Sequence, residues 1–147
     1  MYKHILIPTD GSELSQKAID AGIAFAHSIH ARVTGFTAVP EYQVPSQGEI
    51  MSRHAISASE HERRVTKQAE DALLPIAERA RAAGVDCATE FTLSDQPYEA
   101  IIGAARKHGC DLIFMASHGR RGLSALVHGS ETQSVLTHST IPTLVYR

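Results

Sequence analysis

No stretch of this chain approaches the roughly 18 to 20 consecutive apolar residues that a membrane helix needs. The opening residues, MYKHILIPTDGS, lack the long apolar core of a secretory signal. Together these absences place the expected compartment in the cytoplasm, with no membrane partner. Cysteine is scarce: Cys87 and Cys110 lie beside or within strand-like apolar runs and form no CxxC pair. A disulfide framework is thereby excluded, and two small buried or half-buried thiols are expected instead. Charge of one sign is lacking too, because the formal net charge is −2 and the basic pairs Arg63-Arg64 and Arg120-Arg121 are local. Without a field that would recruit a polyanion, nucleic acid is not expected as a partner.

Catalytic signatures are also missing. The sequence contains neither GxSxG nor HExxH nor a complete Walker loop with its lysine, which excludes an efficient hydrolase of those kinds. Slow hydrolysis of ATP through bound Mg²⁺ is not excluded, since positioning and charge neutralisation alone give some rate. Histidine is plentiful, with nine residues, but pairs such as His27/His30 and His54/His61 have no cysteine or carboxylate at the spacing of a known metal site. They are read as surface histidines on helices, and no metal site is expected.

What is present is an ordinary globular composition, 43% apolar and 20% charged over 147 residues, with no internal repeat or low-complexity linker. One domain over residues 1–147 is expected. YKHILIPT reads as a strand, and a turn at DGS with Ser12 or Asp10 as cap opens a helix over Glu13–Ile29. A strand over 31–39 follows, then a loop over 40–52 that carries two prolines and a glycine without periodicity. The stripe Val65, Ala69, Leu73, Ile76 and Ala80 marks a long charged helix that Gly84 ends. After a strand over 85–93, Asp95 or Gln96 and Pro97 open a helix running toward Gly109. CDLIFMAS is almost wholly apolar, as a parallel strand covered on both faces is. A helix over about 130–138 and the closing strand TLVYR complete an α/β sandwich with a parallel sheet. Ligands in such sheets bind beyond the carboxyl ends of the strands, where the winding order reverses.

The loop after the fourth strand, ASHGRRGLSALVHGSET, places Gly119, nine residues, and then Gly129-Ser130 at the start of a helix. Unpaired N–H groups of residues 129 to 132, with the hydroxyls of Ser130 and Thr132 beside them, suit an anion. A glycine-punctuated loop with Ser130 as a plain cap is the alternative. The loop after the first strand brings Asp10 to the same edge, where its carboxylate can accept hydrogen bonds from a ribose or an adenine amino group.

With ILIPTDGS near the start, DLIFMASHGRRGLSALVHGSETQSVL in the middle and IPTLVYR at the end, the chain resembles the universal stress protein family over essentially its whole length. Nucleotide-binding members carry Gly, two residues, Gly, nine residues, Gly and then Ser or Thr. Gly119, Gly129 and Ser130 match that pattern, while Ala116 stands at its first glycine. Should that backbone need φ > 0, the methyl costs about 1 to 2 kcal/mol.

The resemblance implies a five-stranded parallel sheet in order 3-2-1-4-5, the adenine nucleotide alpha hydrolase-like fold, and a homodimer. It also implies ATP or AMP between the loops after strands 1, 2 and 4, and Mg²⁺ enters only as a cation that could accompany a triphosphate. By the same resemblance, Pro8, Thr9 and Asp10 line the adenosine side and Ala38 offers backbone groups to adenine. Met115, Ala116, His118 and Gly119 run along ribose and phosphates, and Gly129, Ser130, Glu131 and Thr132 close on the phosphates. Glu131 would repel a triphosphate unless a cation bridges them, and Arg120 and Arg121 would offset that repulsion; Gly122 adds freedom to the loop. In the implied order the last strand is an edge without a guarding lysine or mid-strand proline, so dimerisation through TLVYR is expected. Two function classes stand side by side: a nucleotide-responsive stress dimer acting on an unknown protein partner, and a nucleotide-free dimeric scaffold. An enzyme of the wider adenine-nucleotide α/β group is disfavoured, because its SGGxDS and HxGH motifs are absent.

Overall fold

The computed structural model describes residues 1–52, 55–118 and 129–147. Among them the element order is β1 (His4–Pro8), α1 (Glu13–Ser28), β2 (Arg32–Val39), α2 (Gln47–Met51) and α3 (Ala58–Ala83). It continues with β3 (Cys87–Leu93), α4 (Pro97–Lys107), β4 (Leu112–Ala116), α5 (Ser130–His138) and β5 (Thr143–Tyr146). The five strands form one parallel sheet in order β3-β2-β1-β4-β5, the order expected.

Every residue of β1 and of β4 is buried, which explains their unbroken apolar character. Alternation along β1 then assigns the two faces. Ile5 and Ile7 join Ile19 and Ile23 of α1 and Leu73 and Ile76 of α3. Leu6 turns the other way, into a cluster with Ile101 and Ala105 of α4 and Val135 of α5. Two glycines let the first of these layers close: a Cβ on Gly22 would stand 2.8 Å from Ile7 Cδ1, and one on Gly35 would stand 2.9 Å from Ile76 Cδ1. Helices α1 and α3 therefore lie directly against the strands.

The segment over 40–52 departs from the expected loop. Helix α2 occupies Gln47–Met51, held by a reciprocal capping box in which Ser46 N–H donates to Glu49 Oε2 (2.7 Å) and Glu49 N–H to Ser46 Oγ (3.3 Å). It buries none of its residues, so no apolar stripe announces it. Ser57 and Glu60 build the same device at the start of α3. Pro75 lies inside α3, where its missing N–H removes one helical hydrogen bond. Cys110 is buried and Cys87 partly so, and burial pushes both thiols up, that of Cys110 to about 11. No helix among the described residues is long and apolar enough to cross a membrane.

His4, at the start of the central strand, is 6% exposed and shares a 2.8 Å hydrogen bond between its Nε2 and Thr34 Oγ1. Burial, and secondarily the charge of Arg32, holds its pKa below 6.5. The folded ring therefore stays neutral to a lower pH than the ring of the unfolded chain, which takes up a proton near pH 6.5. Stability from this group is complete above that pH and is lost as pH falls below it, with a slope of at most about 1.4 kcal/mol per pH unit. Urea midpoints of the parent should drop more steeply between about pH 7.5 and pH 5.5 than those of His4→Gln, which cannot titrate. Equal slopes would contradict this account of His4.

Candidate functional site

β1 is bonded to β2 on one side and to β4 on the other, so the chain winds outward in opposite directions from this pair. The general rule for open α/β sheets puts a ligand crevice beyond their carboxyl ends, and three segments end there.

The first follows β1. Thr9 is anchored from both sides, its N–H donating to Phe36 O (2.8 Å) and its carbonyl accepting from Thr37 Oγ1 (2.7 Å). Gly11, with φ 77°, makes a tight turn that its N–H closes on Thr9 Oγ1 (3.1 Å). Asp10 Oδ1 accepts from Ser12 N–H (2.9 Å) and Ser15 Oγ (2.7 Å), which fixes this exposed carboxylate against the start of α1. Ser12 is the N-cap of α1 and accepts from Ser15 N–H. Pro8, the last residue of β1, is buried.

The second segment is the end of β2. Arg32 N–H donates to Lys3 O and Thr9 N–H to Phe36 O, whereas Val33 N–H donates to Asp86 O. Even-numbered residues of β2 thus turn their backbone groups toward β1. Ala38 continues that alternation past Pro8, whose partner in the register is Phe36, so its backbone faces the crevice.

The third segment joins β4 to α5. Met115 and Ala116 are buried and pair with Val145 and Tyr146. Ala116 has no positive φ, so the strain considered for its methyl does not arise in this conformation. Ser117 donates its N–H to Tyr146 O (2.7 Å) and accepts from Gly129 N–H (2.8 Å). Thr132, 2% exposed, donates Oγ1 to Ala116 O (3.0 Å). These bonds bolt the first turn of α5 onto the end of β4. The N-cap, Gly129, has no side chain and supplies no capping hydrogen bond, and the N–H groups of Ser130, Glu131 and Thr132 have no partner within the helix. Such a terminus attracts an anion.

Two of the residues placed near phosphate by resemblance have other work. The hydroxyl of Thr132 holds β4, and Glu131 Oε2 accepts from Tyr98 N–H (2.8 Å). Gln96, the N-cap of α4, makes no side-chain capping bond, and Glu131 provides one from α5. His118, half-buried, sits 3.1 Å from Ser117 Oγ through Nδ1. Gly119, Arg120, Arg121, Gly122 and, elsewhere, His54 lie outside the described residues. Sequence reasoning passed over Ser15, Thr37 and Ser117, which orient Asp10, Thr9 and Gly129 respectively. A hydroxyl residue at or just past a strand end was the available signal.

Strand order and crevice define a class, the parallel α/β sandwiches whose ligand edge lies at a reversal of winding. Comparison with known proteins narrows it: the model of the universal stress protein family matches residues 1–147. The chain belongs to that family. It is 30% identical over 152 residues to universal stress protein MJ0531 of Methanocaldococcus jannaschii, covering 100% of this chain and 83% of that one. It is 29% identical to YxiE of Bacillus subtilis, covering both chains fully (100% and 100%). Among solved structures, MJ0577 superimposes with TM-score 0.79 at 28% identity over 99% of this chain and 95% of that one. A universal stress protein in complex with cAMP shares the fold with TM-score 0.70 at 22% identity, over 99% of this chain and 97% of that one. An Arabidopsis thaliana family protein with AMP bound does so with TM-score 0.66 at 12% identity, over 97% and 90%.

The cap from Glu131 is testable apart from any ligand. Glu131→Ala should destabilise the chain by about 1 kcal/mol, as loss of an N-cap does, read as a lower urea midpoint at unchanged slope. An unchanged midpoint would show that α4 does not depend on this carboxylate.

Proposed function

We propose that this chain is a stress-response binding module that holds an adenine nucleotide, AMP or ATP, across the crevice and acts as a homodimer. The observation that carries the reading is the N-terminus of α5, pinned to β4 and given no side-chain cap by Gly129, so that its first-turn N–H groups have no partner within the helix. Phosphate would meet Ser130 and these N–H groups. Asp10, oriented by Ser12 and Ser15, would accept from the ribose, and the Ala38 backbone would meet the base. Relatives of the same fold that hold cAMP, AMP or dAMP support adenosine monophosphates as the ligand class. The commitment of Glu131 to Tyr98 supports it as well, because that carboxylate is drawn toward α4.

Calorimetry with AMP and with ATP, with and without Mg²⁺, should show binding. Gly129→Val should abolish it without unfolding the chain. At φ −59° and ψ 155° any L-residue is accommodated, while the branched side chain takes the space of the phosphate. Binding by Gly129→Val equal to the parent's, or no heat with any of these nucleotides at millimolar concentration, would contradict the reading and favour a nucleotide-free scaffold.

Dimerisation through β5 follows from its edge position. Ile113 N–H donates to Pro142 O and Ser117 N–H to Tyr146 O, so even-numbered residues of β5 face β4 and Thr143 and Val145 turn their backbone groups outward. Leu144 is 36% exposed. Two-fold pairing of this strand with its copy would satisfy the outward groups. Val145→Pro removes an outward N–H and leaves the bonds to β4 intact, so light scattering should find a dimeric parent and a monomeric, folded variant. A monomeric parent, or a folded variant that stays dimeric, would place the interface elsewhere or remove it.

A further inference from the structure

At the opposite edge of the sheet, where β1 and β2 begin and α1 and α3 end, lies an open cavity of about 430 Å³. That volume is within the usual range of small-ligand sites. Lys3, His27, His30 and Arg32 line it, together with Asp86. None of these five side chains takes part in a salt bridge among the described residues.

The backbone adds an independent observation. Three helices end in the same pair of hydrogen bonds: Ala31 N–H to Ala26 O and His30 N–H to His27 O after α1, Val85 to Ala80 and Gly84 to Arg81 after α3, Cys110 to Ala105 and Gly109 to Arg106 after α4. Each such ending requires one residue in the left-handed region, which glycine enters most readily. Glycine meets the requirement twice, at Gly84 (φ 69°) and Gly109 (φ 66°), and His30 meets it at φ 56°. Histidine tolerates this region better than most side chains but remains strained there, and strain of this kind gathers at binding sites. The imidazole so placed is part of the cavity wall. The helix-end carbonyls of Ala26, His27, Ala80 and Arg81 accept the terminal hydrogen bonds, and the partial negative charge of the two helix C-termini is one that the cationic side chains of the cavity have to outweigh.

We propose that this cavity is a second ligand site, separate from the crevice beyond β1 and β4, and that it binds a small phosphate-bearing anion. Lys3 and Arg32 supply the charge, Arg32 with a planar fork suited to phosphate oxygens. Ring N–H groups of His27 and His30 donate, and Asp86 accepts from a hydroxyl or amino group elsewhere on the ligand.

The test is nuclear magnetic resonance of the full isotope-labelled chain near neutral pH, at an ionic strength of about 0.15 M so that diffuse attraction is screened. Inorganic pyrophosphate is the probe, and the readouts are the ring signals of His27 and His30 with the amides of Ala31 and Gly84. A probe bound only at α5 leaves these signals in place, so failure of the nucleotide reading and failure of this one are separable. The expected result is saturable shifts with a dissociation constant on the order of 1 mM or tighter. His30→Gly should hold or raise the melting temperature, because glycine relieves the left-handed strain, and should weaken pyrophosphate binding roughly tenfold. Phosphatidylglycerol vesicles form a second arm. Broadening of the same signals by vesicles, without saturable pyrophosphate shifts, assigns the phosphate to a lipid headgroup, whereas saturable pyrophosphate shifts assign it to a soluble compound; both outcomes keep the site. Signals unmoved by either probe, or shifts that persist at full affinity in a folded His30→Gly chain, overturn the proposal.

Discussion

The site depends on one junction: the first turn of α5 is fastened to the end of β4 by Thr132 Oγ1 on Ala116 O and by Gly129 N–H on Ser117 O. Ser117 extends the fastening to β5 through Tyr146 O. A helix terminus is useful to an anion only if it is held in place, because a fraying first turn disperses its N–H groups. Here the fastening uses a threonine hydroxyl and a backbone amide, and the N-cap side chain that would occupy the terminus is absent. Among the described residues, a fixed position and an N-cap without a side chain thus fall to neighbouring residues, the arrangement that the proposed anion site requires.

Everything beneath the junction keeps β4 in place. β4 and β1 are buried along their whole length between the α1/α3 layer and the α4/α5 layer. Gly22 and Gly35 allow the first layer to approach within side-chain contact of the strands. Glu131 ties the two helices of the second layer together at their N-terminal ends. A displacement of α5 would therefore be felt at Tyr98, and a displacement of α4 at the first turn of α5.

Much of this was legible in the residues. Apolar runs at 4–8 and 112–116, the helical stripe from Val65 to Ala80 and the glycine at 84 each report a local preference that packing reinforces. The Gly129-Ser130 start of α5 was legible for the same reason. Strand order came from family resemblance, since periodicity says nothing about which strands are neighbours. Helix α2 was missed because it buries nothing; its only mark is the Ser46–Glu49 box. The directions taken by the Glu131 and Thr132 side chains were not legible either. Each is decided by a partner far off in sequence, Tyr98 and Ala116, that only the folded chain brings near.

The account's central claim is that the turn after β1 and the first turn of α5 address two ends of one ligand. Titrating AMP into the isotope-labelled chain and following the amides of Gly11 and Ser12 beside those of Ser130, Glu131 and Thr132 tests it most directly. The account predicts that both groups shift together along a single saturation curve. Shifts confined to one group, separate curves for the two, or no shift in either would contradict it.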